Sequence, residues 1–309
     1  MTSPIFVLGE ALMDCIAQPD GQLRPLMGGS PYNLARAAAL RGATVRYLNP
    51  LSSDNFGIQL KAQLLSNGVA VTEQPSRLPT SLAVIQLKDG QPSYGFYREG
   101  IADRDYSVDS VLAQLKNAAP GILHTGSLAL VPPEHEKVLA IVQGAKALGW
   151  TVSVDINLRP KLAEDLNAYA AAVRSVMVWA DWIKASDEDL ETLGFEGVQL
   201  SESDRLVSAL RSTAQPGALS RIALTFGGDG AYLDIEGQHH RLPVPRITVA
   251  DTVGAGDTFW GNTLADWAMQ PADAAARVAN TLALSMKAAA INCTRQGCQP
   301  PTLAEVLAF

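Results

Sequence analysis

Residues 251–262 read Asp-Thr-Val-Gly-Ala-Gly-Asp-Thr-Phe-Trp-Gly-Asn, and an apolar pattern at helical spacing continues through Trp260, Leu264, Trp267 and Ala268. A glycine-rich turn that opens a helix presents unpaired backbone N–H groups at the positive end of the helix dipole, which suits an anion such as a phosphate. A carboxylate in the same turn, here Asp257, can take a proton from a group attacking that anion. Gly254, Ala255, Gly256 and Asp257 together therefore suggest phosphoryl transfer. Alone, the same residues also suit an ordinary helix start, where Asp offsets the dipole and glycine makes a tight turn.

Two other places offer matching chemistry. Met27-Gly28-Gly29-Ser30-Pro31-Tyr32-Asn33 precedes and opens the first helical pattern. Its paired glycines let a ligand approach the backbone, and Asn33, one turn in, both donates and accepts hydrogen bonds. Asp14 comes after the first strand pattern, and a carboxylate can accept from two neighbouring hydroxyls of a polyol. A simple turn and cap, and a surface aspartate, are the alternatives at these positions.

The elements that must position these residues alternate. Strands are expected at Ile5–Leu8, Thr44–Leu48, Gly121–Thr125, Thr151–Ile156, Trp182–Lys184 and Arg221–Phe226. Helices are expected between them at Phe56–Gly68, His135–Leu148, Leu166–Ala180, Asp187–Leu193 and Glu202–Thr213, with an Ala-rich helix from Asp273 to about Ala290. The first helix has Ser30 as its expected N-cap, Pro31 at its first position and Gly42 at its end. Such alternation implies an α/β fold, a mostly parallel sheet with helices on both faces. The strands exit into polar or glycine residues: Gly9-Glu10, Asn49-Pro50, His124-Thr125-Gly126-Ser127, Asp155-Ile156-Asn157, Lys184-Ala185-Ser186 and Gly227-Gly228-Asp229-Gly230. Ligands of an open parallel sheet bind at the carboxyl ends of its strands, so the polar chemistry gathers on one rim.

Residues of about 10–27 and 80–106 break the pattern and suggest a small β-strand lid over that rim. Ser81–Leu87 alternates, Lys88-Asp89-Gly90-Gln91 is a turn in which Asp-Gly is a strong hairpin signal, and Pro92–Arg98 returns. Lids of this kind exclude water during group transfer. No linker divides residues 1–309, which are expected to form one domain.

Composition bounds the partners. The chain has 309 residues, 47% hydrophobic and 18% charged, enough for a sizeable core. A net charge of −7 argues against nucleic acid, which favours a basic face. The three cysteines, Cys15, Cys293 and Cys298, have no metal-ligand spacing and suggest reduced thiols of a cytoplasmic protein. The N-terminal segment is expected to be a first strand rather than a signal peptide, and no stretch approaches the length of a membrane span.

Taken together, these segments resemble the ribokinase-like carbohydrate kinases, also called the phosphofructokinase B family. Gly28–Asn33 resembles that family's N-terminal signature and Asp251–Asp257 its C-terminal one. Asp155-Ile156-Asn157-Leu158-Arg159 and Thr225-Phe226-Gly227-Gly228-Asp229-Gly230 fall where members carry similar segments, so the likeness spans essentially the whole chain. It implies a three-layer α/β/α domain and an ATP-dependent sugar kinase that also needs Mg²⁺. Asp257 would take the proton of the sugar hydroxyl, and the N–H groups of Gly254, Ala255 and Gly256 would hold the developing negative charge. The resemblance further implies that Asp14, Gly28, Gly29 and Asn33 hold the sugar. Arg159 would be a mobile cation near the phosphates, while Thr225, Gly227 and Gly230 would line the nucleotide site. Asp251 would help bind a monovalent cation such as K⁺.

One departure stands out. Many relatives have Asn-x-x-Glu near the Mg²⁺ and the phosphates, where this chain has Lys184-Ala185-Ser186-Asp187 and then Glu188. Asp187, or Glu188 with the register moved by one, keeps the carboxylate that would reach Mg²⁺ through water. Lys184 replaces the amide and could meet phosphate as a point charge.

For the sugar, Phe96-Tyr97-Arg98-Glu99-Gly100-Ile101-Ala102-Asp103 resembles the lid of fructokinases. Arg98 facing a carboxylate would favour 2-keto-3-deoxygluconate, and Asp103 near the substrate would disfavour it. The expected reaction is transfer of the γ-phosphoryl of ATP to the 6-hydroxyl of D-fructose. The alternatives are 2-keto-3-deoxygluconate, ribose or a nucleoside. The lid's strand edges offer a surface through which a homodimer could pair. A dinucleotide-dependent oxidoreductase is disfavoured because Val7-Leu8-Gly9-Glu10 lacks Gly-x-Gly-x-x-Gly. A Walker-type NTPase is excluded by the missing Gly-x-x-x-x-Gly-Lys-Ser/Thr. Retention of Asp257 with the glycine turn speaks against a non-catalytic sugar sensor.

Overall fold

The structure is a computed structural model that describes residues 2–18, 20–88, 91–215 and 218–309, with side chains described outside 85–94. Its strands, in chain order, are β1 (Ile5–Val7), β2 (Leu12–Ala17), β3 (Leu23–Gly28), β4 (Val45–Tyr47), β5 (Val69–Val71), β6 (Ser81–Lys88), β7 (Gln91–Tyr97), β8 (Ile122–Gly126), β9 (Thr151–Asp155), β10 (Trp182–Ser186), β11 (Arg221–Phe226), β12 (Gly230–Ile235) and β13 (Gln238–Leu242). The α-helices are α1 (Ser30–Leu40), α2 (Asn55–Ser66), α3 (Val108–Lys116), α4 (His135–Ala147), α5 (Leu166–Met177), α6 (Asp187–Thr192), α7 (Ser203–Thr213), α8 (Ala255–Met269), α9 (Val278–Cys293) and α10 (Leu303–Ala308).

Nine strands form the main sheet in the order β13-β12-β11-β10-β9-β8-β1-β4-β5. From β11 to β5 every neighbouring pair is parallel, and β12 and β13 add an antiparallel edge. The central strands are buried on both faces, which explains their continuous apolar runs. One face packs on a cluster including Val111, Ile141, Val173 and Leu206 from α3, α4, α5 and α7. The other packs on a cluster including Tyr32, Leu60, Trp260 and Leu282 from α1, α2, α8 and α9. This is the expected three-layer α/β/α arrangement.

The expected lid segments form a second sheet in the order β3-β2-β6-β7. β2 pairs antiparallel with β3 and parallel with β6, and β6 pairs antiparallel with β7. The Asp89-Gly90 turn expected between β6 and β7 lies outside the described residues. Residues 98–106 do not extend the hairpin, because Ala102–Arg104 turns into a short 3-10 segment.

Glycines set both the start of α1 and its contact with α8. Ser30 is not the cap of α1: Gly29 occupies the N-cap at φ 109°, and its carbonyl accepts from Asn33 N–H at 2.9 Å. A Cβ at Gly29 would stand 2.5 Å from the Glu10 carbonyl, so both the backbone conformation and the space require glycine. Further along, α1 and α8 touch through Gly261, where a Cβ would stand 2.8 Å from Ala37 Cβ and 2.8 Å from the Leu34 carbonyl.

Candidate active site

The carboxyl ends of the parallel strands and the inner face of the small sheet enclose a cavity of about 650 Å³. Glu10, Asp14, Gly29, Ser30 and Asn33 line it from one side, and Gly254, Ala255, Gly256 and Asp257 from another. Asn157, Arg159, Lys184, Glu188 and Asp251 complete its polar wall, while Leu12, Ile16 and Phe96 of the lid supply apolar cover. Residues far apart in sequence thus converge as expected.

Asp257 sits in the first turn of α8 and is buried. Its Oδ1 accepts from Ser30 Oγ at 2.7 Å and its Oδ2 from Asn33 Nδ2 at 2.9 Å. Burial pushes its pKa up, opposed by the Ser30 and Asn33 hydrogen bonds and by Lys184 and Arg159. Two oxygens that each keep a free lone pair leave the carboxylate able to accept one more proton donor.

Gly254 caps α8 at φ 73°, a left-handed conformation that turns the backbone into the helix. Ala255 N–H is already bonded to the Thr252 carbonyl at 3.2 Å, which differs from its expected place among the anion donors. Among the described residues, no carbonyl or side chain accepts from the N–H groups of Gly254, Gly256 or Asp257. Those three, rather than 254–256, are the open donors of the turn.

Lys184 lies under this turn. A Cβ at Gly256 would stand 3.1 Å from Lys184 Nζ, so the glycine lets the ammonium approach the backbone. Lys184 Nζ also donates to both oxygens of Asp155, at 3.0 and 3.1 Å, in full burial. Burial opposes its charge, but Asp155, Asp189 and Asp257 outweigh that and raise its pKa. Asp189, which no sequence motif singles out, accepts from Leu158 N at 2.6 Å and Ser186 N at 2.8 Å and so ties the ends of β9 and β10 together.

On the lid side, Asp14 projects towards Gly28, where a Cβ would stand 2.2 Å from its Oδ2. Burial raises the Asp14 pKa to about 6, opposed by Arg159. Glu10, in sequence only a polar strand exit, is buried, accepts from Ser30 N at 3.1 Å, and is pushed up to about 7 by burial. Arg98 and Asp103 face each other at 3.7 Å, and neither lines the cavity. Asp103 is fully buried behind the lid, with burial raising its pKa to about 6 against the pull of Arg98.

Thr225, Gly227 and Asp187 lie outside the cavity on the next strand end: Thr225 pairs with Ser186, and a Cβ at Gly227 would stand 4.0 Å from Asp187 Oδ2. Glu188, the alternative in that register, reaches the cavity wall. Gly230 is explained by packing, since a Cβ there would stand 2.2 Å from the Leu242 carbonyl of β13. Asp251 accepts from Val253 N at 3.0 Å and Gly297 N at 2.9 Å, which anchors the glycine turn to the loop after α9. The three cysteines are free thiols, and Cys298 is buried against Gly254.

With this geometry, the family model of the pfkB family carbohydrate kinases matches residues 3–305. The chain belongs to the pfkB family. This pfkB kinase is 30% identical over 274 residues to a fructokinase of Rhizobium leguminosarum bv. trifolii, covering 86% of this chain and 80% of that one. It is 31% identical over 291 residues to fructokinase-1 of Zea mays, covering 91% and 87%. Its fold matches the crystal structure of fructokinase with bound ATP from Xylella fastidiosa with a TM-score of 0.81 at 28% identity, covering 100% and 98%. As a pfkB kinase it is a phosphotransferase acting on a carbohydrate. Among its described residues, no helix is long and apolar enough to cross a membrane.

Proposed function

We propose that this kinase transfers the γ-phosphoryl group of ATP to the 6-hydroxyl of D-fructose. The observation that carries the reading is the cavity in which Asp257 and the open N–H donors of its turn face Asp14 and Asn33, in a chain whose relatives at 30–31% identity are fructokinases. Asp14 and Asn33 would bind the sugar hydroxyls. Asp257 takes the proton of the attacking hydroxyl on its free lone pair as the oxygen bonds to phosphorus. The N–H groups of Gly254, Gly256 and Asp257 stabilise the charge that spreads over the transferring oxygens. Arg159 and Lys184 add positive charge on the phosphate side, and the apolar lid residues exclude water that would otherwise accept the phosphoryl group.

Thr225, Gly227 and the α6 start extend the rim outward from Lys184 and would hold the nucleotide. No group of three or more His, Cys, Asp or Glu side chains gathers for a metal among the described residues. Glu188 and Asp187 therefore fit a Mg²⁺ held through waters and phosphates rather than in a protein cage. Such an ion would neutralise charge on the phosphate oxygens. Asp251, whose oxygens retain free lone pairs, would contribute to a monovalent cation site.

Arg98 favours fructose over 2-keto-3-deoxygluconate: its guanidinium is already engaged with Asp103 and the Leu128 carbonyl and does not line the cavity. The test is a coupled ADP-release assay across D-fructose, 2-keto-3-deoxygluconate, ribose and adenosine. Fructose should give a kcat/KM higher than the others by ~10²-fold or more, about 3 kcal/mol of discrimination. Comparable values for all four, or a preference for the sugar acid, would overturn the assignment.

A further inference from the structure

Four side chains form a single hydrogen-bonded row across the cavity floor. Arg159 Nη1 donates to Asn157 Oδ1 at 2.5 Å, Asn157 Nδ2 donates to Ser30 Oγ at 2.7 Å, and Ser30 Oγ donates to Asp257 Oδ1 at 2.7 Å. The direction of every bond is set from one end. A guanidinium has no acceptor, so it must meet the amide oxygen of Asn157. That turns the amide N–H₂ towards Ser30, whose oxygen accepts it and whose only proton is then left for Asp257. All the dipoles point the same way, an arrangement in which each bond polarises the next.

Asn157 is held for this task by a backbone conformation that few side chains tolerate, φ 37°. Ser30 is also fixed at its backbone, through its N–H to Glu10. The hydroxyl is free for Asp257 because Gly29 caps the helix instead.

We infer that Ser30 and Asn157 are positioning residues that hold Asp257 ionised and aimed into the cavity, and that they link it to the guanidinium of Arg159. Neither touches the reacting atoms in this role; both act through the base. This rests on the proposed reading of Asp257 as the proton acceptor. Other charged or titratable groups around Asp257 are Asp14 from β2, Asp155 from β9, Lys184 from β10, Cys298 from the loop after α9, and Arg159 itself. The Ser30 variants leave all of these in place, so a shift they cause in the titration of Asp257 reports the row.

The experiment compares Ser30→Ala, Ser30→Thr, Asn157→Gly and the Ser30→Ala/Asn157→Gly double variant, each checked for an unchanged melting temperature. Glycine at 157 is chosen because it accepts the positive φ. Loss of the hydroxyl proton should move the acidic limb of kcat/KM for fructose up by about 1 pH unit and lower kcat ~10-fold, with KM for the sugar little changed. Ser30→Thr, which keeps the hydroxyl, should restore the limb. Asn157→Gly should shift it less, and add nothing once Ser30 is gone, because its effect runs through Ser30. Additive shifts, or a limb that stays put in Ser30→Ala, would overturn the inference. The same titration can be tracked without turnover, from the infrared carboxylate band that Asp257→Asn removes. A wild type inactive on every sugar would refute the functional reading, while the infrared titration would still decide the row.

Discussion

Lys184 Nζ lies 3.0 Å from Asp155 Oδ1, and the two form a buried ion pair directly under the Gly254–Gly256 turn. Removing one partner of such a pair leaves an uncompensated charge in the interior. Lys184→Met is therefore expected to lower unfolding free energy at pH 8 by about 3–5 kcal/mol. Lys184→Met/Asp155→Asn should recover part of that loss, because neither charge is then stranded. Urea denaturation of both variants measures this, and a single variant as stable as wild type would show that the pair is dispensable.

Asp257→Asn keeps the shape of the carboxylate and an acceptor for Ser30, but cannot take a proton. Turnover should fall by ~10²–10⁴-fold, the range for loss of a general base. The melting temperature and the affinity for ATP should stay close to wild type. Steady-state kinetics with fructose and a nucleotide titration check the two halves separately, and near-normal turnover would remove Asp257 from the role of base.

Gly254→Ala is expected to fail for two separable reasons. The left-handed backbone at φ 73° disfavours any Cβ by about 1–2 kcal/mol. The new Cβ would also stand 2.2 Å from Cys298 Sγ and 2.7 Å from Cys298 Cβ. Gly254→Ala/Cys298→Ala removes the sulfur contact alone, so its stability and kcat should lie between the single variant and wild type. Equal stability of the single and double variants would show that the sulfur contact costs nothing and leave the effect to the backbone and the Cβ contact.

Much of this arrangement is legible in the chain, and the exceptions have physical causes. The parallel strands announce themselves because burial on both faces demands uninterrupted apolar runs. β5 escapes notice because Val69–Val71 is too short to show a period, and β13 because Gln238-His239-His240-Arg241 lies on a sheet edge and has no apolar face. Ser30 reads as a cap because Ser before Pro at a helix start is a strong local capping signal. Its real partner is 227 residues away, and no local rule reports such a contact. Gly254–Asp257 is visible as a glycine turn opening a helix, but which N–H groups stay open depends on the Thr252 carbonyl, which only the folded backbone reveals.

Glu10 gives the enzyme a pH dependence of stability that can be isolated. Burial raises its pKa from 4.5 to about 7 in the folded chain. The folded state therefore holds a proton that the unfolded chain has already released. Stability contributed by this group is full below about pH 4.5 and is lost as pH rises to about 7, about 3 kcal/mol in all. Glu10→Gln keeps an oxygen for the Ser30 N–H but cannot ionise. Its unfolding free energy should fall less steeply than wild type across that window and exceed it at pH 8. Parallel denaturation curves at all pH values would show that Glu10 does not titrate as described.

The close contact of α1 and α8 at Gly261 has a consequence for the cavity. Asp257 stands one turn before Gly261 on α8, and Ser30 and Asn33 precede Leu34 and Ala37 on α1, so the seam that joins the two helices also fixes the spacing between the Asp257 carboxylate and its hydrogen-bond donors. No loop intervenes to absorb a change in that spacing. In engineering terms, the distance between two helix axes becomes a dial for the placing of Asp257 against Ser30 and Asn33, adjustable from within the core without altering any of those three side chains.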